Sequence, residues 1–392
     1  MARSRGRILD AIEEANWDVL MVCAALGLTL FGIVMVYSAS GVIAAEQVAA
    51  AKEALKPIPM GGEYYIVIKQ VIWAALGIVA MLVLMRIDYQ HYARPTMIVL
   101  MLGLSVVGLV AVFFFERRNG AHRWINFAGF SAQPSEFAKI VFVIFMAYFL
   151  ARRNDEELEG SFQSTFIPAG VMAAILMALI LKEPDLGTAL MIAIVFVVMM
   201  LVGRVPLFHL ASMIPVGLLG FYFLVLRTDW RWKRFMAFMD PTATEELRRG
   251  AGYQVLQSLY AVGSGGVSGV GLGAGKQKLR YLPEPHSDYI FAVVGEELGF
   301  IGAAAVLLVF GILLWRCLQA SFRAPDRFGQ LLGMGLTVML IAQAFFNVSV
   351  VLSLVPTKGI PLPFVSAGGS SLLIALAAVG ILLNISEQAR AE

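Results

Sequence analysis

Leu282-Pro-Glu-Pro-His-Ser-Asp-Tyr-Ile-Phe-Ala-Val-Val-Gly-Glu-Glu-Leu-Gly299 is a stretch in which several ionisable side chains lead into an apolar run. Pro283 and Pro285 exclude regular helix at its start, because each lacks a backbone N–H and restricts the residue before it. We therefore predict that Ser287 is the N-cap of a helix and that Asp288 lies in its first turn. There the positive end of the helix dipole favours a carboxylate.

The same helix carries Glu296 and Glu297 two turns further on. A carboxylate at that depth in a bilayer is costly, so we expect both to face protein or a water-filled cavity. A plainer interpretation stays open, in which Asp288 only starts the helix and the two glutamates only pair with basic neighbours.

The composition identifies a membrane protein. Of the 392 residues, 59% are hydrophobic and 15% are charged, and the mean hydropathy is +0.79. We therefore expect an all-α polytopic protein, since helices satisfy their own backbone polar groups in lipid. The net charge of +3 is too small to indicate nucleic acid, and two cysteines do not suggest a disulfide framework or a thiolate metal site.

Ten apolar runs predict about ten transmembrane helices, of which the fifth and sixth are the shortest. The first is too long for a cleaved signal sequence, so we expect it to be retained. The expected spans are Trp17–Ser40, Tyr64–Met85, Pro95–Phe115, Ser135–Ala151, Phe166–Leu181, Gly187–Gly203, Pro206–Leu226, Ser287–Leu318, Phe328–Val355 and Phe364–Ile385.

Basic residues predict the orientation, because they concentrate in cytoplasmic connections. The residues that mark these connections are Arg3, Arg5, Arg7, Arg86, Arg94, Arg152, Arg153, Arg204, Arg316, Arg323 and Arg327. Both termini are then cytoplasmic, and the chain is one membrane domain, 1–392. It has a cytoplasmic N-terminal tail at 1–16, a large extracytoplasmic loop at 227–286 and a cytoplasmic C-terminal tail at 386–392.

The large loop is basic although it is predicted to lie outside. It has nine basic and five acidic side chains, and Trp230-Arg-Trp-Lys-Arg-Phe235 alternates aromatic with basic residues. An anchor helix on the membrane surface explains the aromatic residues. The excess of bases, which includes Arg231 and Arg234, favours an anionic guest such as a diphosphate.

A glycine-rich stretch, Ser264–Gly275, follows in the same loop and is succeeded by Lys276 and Lys278. It lacks the spacing of a nucleotide-binding P-loop. Glycine content alone favours a flexible re-entrant loop, whereas converging backbone N–H groups and the adjacent lysines favour an anion site.

Three further stretches place polar residues where lipid disfavours them. Gln133–Lys139 opens the fourth span, with Glu136 and Lys139 three residues apart on one helix face, and this spacing predicts an intrahelical ion pair. Asp185 and its neighbour Glu183 lie at a break between two spans. Pro356–Ser371 combines prolines, Lys358 and small residues that also suit helix packing.

Together these motifs resemble the SEDS family of cell-shape, elongation, division and sporulation proteins. The motifs are Ser131–Lys139, Glu183–Thr188, Gly252–Ser258, the glycine-rich stretch, Leu282–Asp288, Gly295–Gly299 and Pro361–Ser371. The resemblance spans nearly the whole chain. It implies a ten-helix membrane glycosyltransferase that polymerises lipid II into glycan strands at the outer face of the bacterial cytoplasmic membrane. The implied partners are a class B penicillin-binding protein, which cross-links the strands, and other division or elongation proteins.

Within the family, Pro283–Asp288, Gly295–Gly299 and Pro356–Gly359 look like the division branch, whereas Ile360–Pro363 looks more like the elongation branch. We favour the division branch. Ala367 departs from the family, which usually has tyrosine before the paired glycines.

The resemblance implies that Asp288 is the catalytic carboxylate, and an inverting transfer needs such a base on the acceptor hydroxyl. A divalent cation such as Mg²⁺ or Mn²⁺ near Asp288 is an open possibility, and no organic cofactor is expected. The residues assigned to substrate binding are Trp124, Glu136, Lys139, Asp185, Arg231, Arg234, Lys276, Lys278, Glu284, His286, Lys358, Ser366, Gly368, Gly369 and Ser370. Two other functions stay open, a transporter of lipid-linked precursor and a non-catalytic scaffold of a cell-wall synthase.

Overall fold

The computed structural model describes residues 18–53, 61–117, 120–127, 130–153 and 161–391. The predicted N-terminal tail, 1–16, lies outside these ranges. In chain order the elements are α1 (Val19–Glu53), α2 (Tyr65–Arg86), α3 (Pro95–Ala111), β1 (Ile125–Phe127), β2 (Phe130–Ala132), α4 (Pro134–Ala151), α5 (Ile167–Lys182), α6 (Leu186–Val202), α7 (Leu207–Ala211), α8 (Met213–Phe221), α9 (Asp229–Met239), α10 (Glu245–Arg249), α11 (Ala251–Gly265), α12 (Ile290–Phe322), α13 (Arg327–Val351) and α14 (Gly369–Ala391). Short turns lie between these elements. They are 3₁₀ turns at Gly62–Tyr64, Tyr89–Ala93 and Val112–Phe114 and π turns at Phe162–Phe166 and Tyr222–Leu226.

The protein is an all-α polytopic membrane protein. Within the described ranges, nine helical segments are apolar and long enough to cross a bilayer, and α6, with 17 residues, is a shorter tenth. Helices α7 and α8 together with the following π turn form one of the nine, Leu207–Leu226. The prediction of about ten transmembrane helices is therefore confirmed.

Several helix ends differ from the predicted ones. Helix α1 continues to Glu53 rather than ending at Ser40, and its 35 residues exceed the length that a bilayer core of about 30 Å requires. Helix α14 begins at Gly369 rather than at Phe364 and runs through most of the predicted C-terminal tail. The prolines of 356–363 keep the preceding segment out of helix.

The centre of the bundle is built on close helix contacts. Helix α14 is almost wholly buried, and its Gly380 lies so close to α2 that a Cβ there would be 2.5 Å from the Met81 carbonyl oxygen. Gly77 of α2 is similarly close to the Leu376 side chain. By contrast, the segment Leu207–Leu226 buries none of its apolar window, so its side chains face outward, as lipid-exposed residues do.

One end of the bundle, hereafter the loop end, carries the long connection between α8 and α12. Helix α11 of this connection lies directly on α12, since a Cβ at Gly265 would overlap the Gly295 carbonyl oxygen. The Ser258 hydroxyl also donates a hydrogen bond to the Val351 carbonyl at the end of α13, at 2.8 Å. These contacts fix the loop end on the bundle instead of leaving it as a free linker.

Candidate active site at the loop end

A cavity of about 1040 Å³ opens at the loop end. Its walls come from α1, α2, residues 120–124 and 131–133, the starts of α4 and α6, α9, α11, and the turns at 284–289 and 357–371. Most of the residues predicted for the site line it, namely Trp124, Glu136, Lys139, Asp185, Arg234, Glu284, His286, Asp288, Lys358, Gly368, Gly369 and Ser370. The structure therefore brings together residues that are up to about 250 positions apart in the chain.

Asp288 lies in the turn before α12, not inside the helix. Helix α12 begins at Ile290 with Tyr289 as its N-cap, so the prediction that Ser287 caps it is wrong. The physical reason is tertiary hydrogen bonding. The Ser287 carbonyl accepts from the Ser366 hydroxyl at 2.6 Å, and the His286 carbonyl accepts from the Ala367 N–H at 2.9 Å. These bonds hold the turn against 366–367.

The carboxylate of Asp288 faces the cavity and receives no hydrogen bond from the described residues. It lies against Gly359, where an added Cβ would be 2.5 Å from Asp288 Oδ2. Its backbone carbonyl accepts a hydrogen bond from the Asn347 side chain at 2.8 Å. An acceptor that is held by its backbone but has free oxygens is suited to take a proton from a bound hydroxyl.

Burial raises the pKa of Asp288 to about 6, and the nearby negative charge of Glu284 acts in the same direction. The guanidinium groups of Arg123 and Arg234 oppose this shift. With this pKa the carboxyl is still mostly ionised at neutral pH. A pKa near the operating pH is what a general base requires.

Glu136 and Lys139 form the predicted intrahelical pair. The Lys139 ammonium lies 2.9 Å from the Glu136 carboxylate, both side chains are buried, and Lys139 also donates to the Gln343 side-chain oxygen at 2.7 Å. Because both residues line the cavity, the pair places one positive and one negative group deep in its wall.

Further cations line the cavity and a chamber beside it. Arg234 and Lys358 line both the main cavity and an adjoining chamber of about 360 Å³, and Arg231 lines only the chamber. Burial, together with the positive charge of Arg231, lowers the pKa of Lys358 to about 8. Lys358 therefore remains mostly protonated at neutral pH.

The break between α5 and α6 supplies two acidic residues with different surroundings. Asp185 caps α6, since its carboxylate accepts from the Thr188 N–H at 3.1 Å and from the Gln133 amide at 2.9 Å. Glu183 is fully buried, and within the described ranges neither of its carboxyl oxygens has a hydrogen-bond partner. Burial, reinforced by Asp185, raises the pKa of Glu183 to about 8, so this carboxyl is largely protonated at neutral pH.

The remaining predicted residues either line the cavity or hold the segments that form its wall. Burial lowers the pKa of His286, which favours the neutral imidazole. Ser366 does not line the cavity and instead holds the Asp288 turn through Ser287. The Ser370 hydroxyl accepts from the Gln133 N–H at 3.3 Å.

The structure does not place Lys276 or Lys278 at the cavity. Lys276 is exposed, whereas Lys278 is buried and lies 2.6 Å from the Glu297 carboxylate. Glu297 also accepts from the Ser38 hydroxyl at 2.8 Å and from the Gly273 N–H at 2.9 Å.

Glu296 is enclosed by the same stretch. It accepts from the N–H groups of Lys276 at 2.7 Å and Gln277 at 3.2 Å. The anions that the glycine-rich stretch surrounds are thus the protein's own Glu296 and Glu297. The prediction that both glutamates face protein is confirmed.

Several groups that shape the site were not among the residues predicted for it. Arg123 donates to the backbone carbonyls of Glu183 and Pro184, which secures the α5–α6 break beside the cavity. Gln343 and Asn347 project from α13, and Gln70 of α2 donates to the Ser366 carbonyl at 3.1 Å. For the three amides, the available signal was their position inside apolar helices, because polar side chains need partners there.

The chain matches the family model described as "Cell cycle protein", which covers FtsW, RodA and SpoVE, over residues 18–391. Among curated relatives, a probable peptidoglycan glycosyltransferase FtsW of Trichlorobacter lovleyi is 43% identical over 373 residues, which are 95% of this chain and 93% of the relative. Stage V sporulation protein E of Bacillus subtilis is 38% identical and covers 96% of this chain and 99% of its own length.

Two solved structures share the fold. One, described as structural coordination of polymerization and crosslinking by a peptidoglycan synthase complex, has a TM-score of 0.73 and 25% identity. It covers 96% of this chain and 99% of its own. The other, the rod shape determining protein RodA of Thermus thermophilus, has a TM-score of 0.64 and 24% identity, and covers 94% of this chain and 96% of its own.

Proposed function

The chain belongs to the cell cycle protein family of FtsW, RodA and SpoVE, and we propose that it is a peptidoglycan glycosyltransferase that polymerises lipid II into glycan strands. The observation that carries this proposal is the Asp288 carboxylate. It faces a large cavity without a hydrogen bond from the described residues, and cationic side chains stand around it.

The reaction replaces one bond at the anomeric carbon of a donor lipid II. An acceptor hydroxyl oxygen forms the new glycosidic bond, the bond to the diphosphate breaks, and undecaprenyl diphosphate leaves. The donor linkage is α and the product linkage is β, so the displacement inverts the carbon. An inverting transfer needs a base on the acceptor and charge stabilisation on the leaving group, which lie on opposite faces of the sugar.

Asp288 is the proposed base. With a pKa of about 6, its carboxylate is mostly ionised at neutral pH and is basic enough to take the acceptor proton as the new bond forms. Its free oxygens face the cavity, where an acceptor sugar has room to bind.

The leaving diphosphate requires positive charge that is already in place. Three basic residues line both the main cavity and the adjoining chamber, namely Arg123, Arg234 and Lys358. Preorganised cations of this kind stabilise charge as it develops in the transition state, without reorganisation at the moment of reaction. Trp124, Glu284 and His286 complete the proposed substrate-binding wall.

A divalent cation would assist the same leaving group. In the described part of the chain, however, no three acidic, histidine or cysteine side chains lie close enough to form a metal site by themselves. These residues do not provide a cage for a resident metal ion, so the steps above are assigned only to protein groups. A requirement for Mg²⁺ or Mn²⁺ remains a prediction, to be tested by comparing polymer formation with EDTA and with added cation.

The proposed location is the bacterial cytoplasmic membrane, with both termini cytoplasmic and the loop end outside. The distribution of basic residues supports this orientation, because the sequence from Arg86 to Arg94 and the pair Arg152 and Arg153 then lie inside. The cavity would thus open towards the compartment in which cell wall is assembled.

The proposed partner is a class B penicillin-binding protein, and the proposed setting is cell division. The first is supported by the likeness to a solved peptidoglycan synthase complex. The second is supported by the name FtsW, which several relatives of about 40% identity carry. The division-type motif Pro356–Gly359 agrees with it.

The proposal is tested by giving labelled lipid II to the purified chain, with and without a co-purified class B partner, and resolving the products on a gel. We expect a ladder of glycan strands. If neither preparation yields polymer with divalent cation present, while vesicles containing the chain move lipid II between leaflets, the transporter function replaces this one.

A further inference from the structure

Asn347 connects the two chain segments that meet at the Asp288 carboxylate. It projects from α13 and is buried. One amide proton goes to the Asp288 carbonyl at 2.8 Å and the other to the Ile360 carbonyl at 2.7 Å. A single NH₂ group thereby ties the turn before α12 to the segment that follows Lys358 and Gly359.

The two Asn347 hydrogen bonds hold the segments that meet at the Asp288 carboxylate, which is the proposed base. Gly359 directly precedes Ile360 and lies against the Asp288 carboxylate, where a Cβ would be 2.5 Å from Oδ2. Because no described residue donates a hydrogen bond to that carboxylate, its position depends on the backbone that carries it. The Asn347 amide holds this backbone on one side and the Gly359 segment on the other.

The chemistry of the side chain supports a positioning role. A primary amide has two N–H donors, and Asn347 uses both on backbone carbonyls. Its own oxygen is buried, and within the described ranges no partner reaches it. An unpaired buried oxygen is unfavourable, so the amide is explained by its two donors and not by a fully satisfied polar network.

We propose that Asn347 is a positioning residue, which fixes the Asp288 carboxylate against Gly359 by holding the backbones of both segments. This inference rests on the proposed function. It gives Asn347 no contact with substrate. The Ser366–Ser287 and Ala367–His286 hydrogen bonds secure the preceding residues of the turn but leave the Asp288 carbonyl to Asn347.

Asn347→Leu tests the proposal, because leucine fills similar space and cannot donate. Polymerisation of labelled lipid II by the complex with its partner should show kcat lowered by about tenfold or more with KM unchanged, since a misplaced base slows chemistry without weakening binding. The loss should not add fully to that of Gly359→Ala, since both changes displace one carboxylate.

Asn384→Leu is the matched control. Asn384 of α14 is equally a buried amide that joins two backbone groups, donating to the Met85 carbonyl at 3.0 Å and accepting from the Tyr89 N–H at 2.9 Å, but it lies away from the cavity. This variant should keep kcat within about twofold per folded molecule. If the leucine variant of Asn347 does not fold, Asn347→Ser, which is too short to reach either carbonyl, carries the same expectation.

Two results overturn the positioning role while leaving the proposed function intact. One is a wild-type kcat in the Asn347 variants, and the other is an equal loss in the Asn347 and Asn384 variants. Absence of polymer from the wild-type complex would instead overturn the proposed function, and the inference with it.

Discussion

Asp288 and Glu297 lie nine residues apart in one stretch of sequence, yet their surroundings are opposite. Glu297 is fully buried and is held by Lys278, Ser38 and the Gly273 N–H. Asp288 faces a cavity, and no described residue donates a hydrogen bond to its carboxylate. A satisfied carboxylate stabilises a fold, whereas one with free oxygens is available for chemistry.

The conformation of the glycine-rich stretch explains how Glu297 comes to be enclosed. Its left-handed glycines, such as Gly271 and Gly273, let backbone N–H groups and Lys278 close around Glu297. The chain between this stretch and α12 then leads to the Asp288 turn. The hydrogen bonds to Glu296 and Glu297 thus help to position the chain that leads to Asp288.

The largest stability effect is expected from Glu297→Ala. Removing one partner of a buried ion pair leaves Lys278 uncompensated and should lower the free energy of unfolding by about 3 to 5 kcal/mol. Thermal or denaturant unfolding in detergent would measure it. The double change Glu297→Gln with Lys278→Met should recover much of the loss, and a single variant as stable as wild type would contradict the structural role.

Gly359→Ala should affect the Asp288 carboxylate. In contrast to the change at Glu297, it should lower activity and leave stability unchanged. The new methyl group would force the end of the Asp288 side chain to move, while the backbone at Gly359 has no left-handed φ that alanine would resist. We expect kcat to fall by about 10- to 100-fold with an unchanged unfolding midpoint. Alanine at Gly170 of α5, which lies away from the cavity and meets no atom closer than 3.8 Å, is the control and should remain active.

The pH dependence should report the free carboxylate. Asp288 must be ionised to act as a base, and its pKa is raised to about 6, so kcat/KM should level off above that pH. Below it, the rate should fall by about tenfold per unit as the carboxyl becomes protonated. A profile that is flat from about pH 5 to pH 8 would exclude a base with this pKa.

The smallest effect is expected at the surface. Arg280 lies 2.7 Å from Glu46, but both side chains are well exposed, so water and salt screen the pair. Arg280→Ala should leave the unfolding midpoint and the yield of polymer essentially unchanged. A large loss would mean that this basic residue, unlike its buried neighbour Lys278, contributes to the site.

Much of the architecture could be predicted from the sequence. The apolar runs predicted about ten transmembrane helices; within the described ranges, nine segments are long enough to cross a bilayer and α6 is a shorter tenth. The three-residue spacing of Glu136 and Lys139 gave their ion pair, because such residues share a helix face.

The rest depends on contacts between distant segments. Whether Lys278 meets a substrate anion or Glu297 is decided by how the loop folds back on α12, which no local pattern records. Ser287 has the side chain of a good N-cap, but hydrogen bonds from residues 366–367 hold its turn outside the helix. Asn347 could be recognised only as an amide in an apolar helix, and its two partners are visible only in the fold.

The most direct test of Asp288 as the base compares glycan strands made from labelled lipid II by wild type and Asp288→Asn, each purified with its class B partner. The asparagine keeps the shape but cannot take the proton. The expected result is a normal unfolding midpoint and polymer synthesis reduced by about 10²- to 10⁴-fold. An Asp288→Asn protein that polymerises lipid II at the wild-type rate would contradict the assignment.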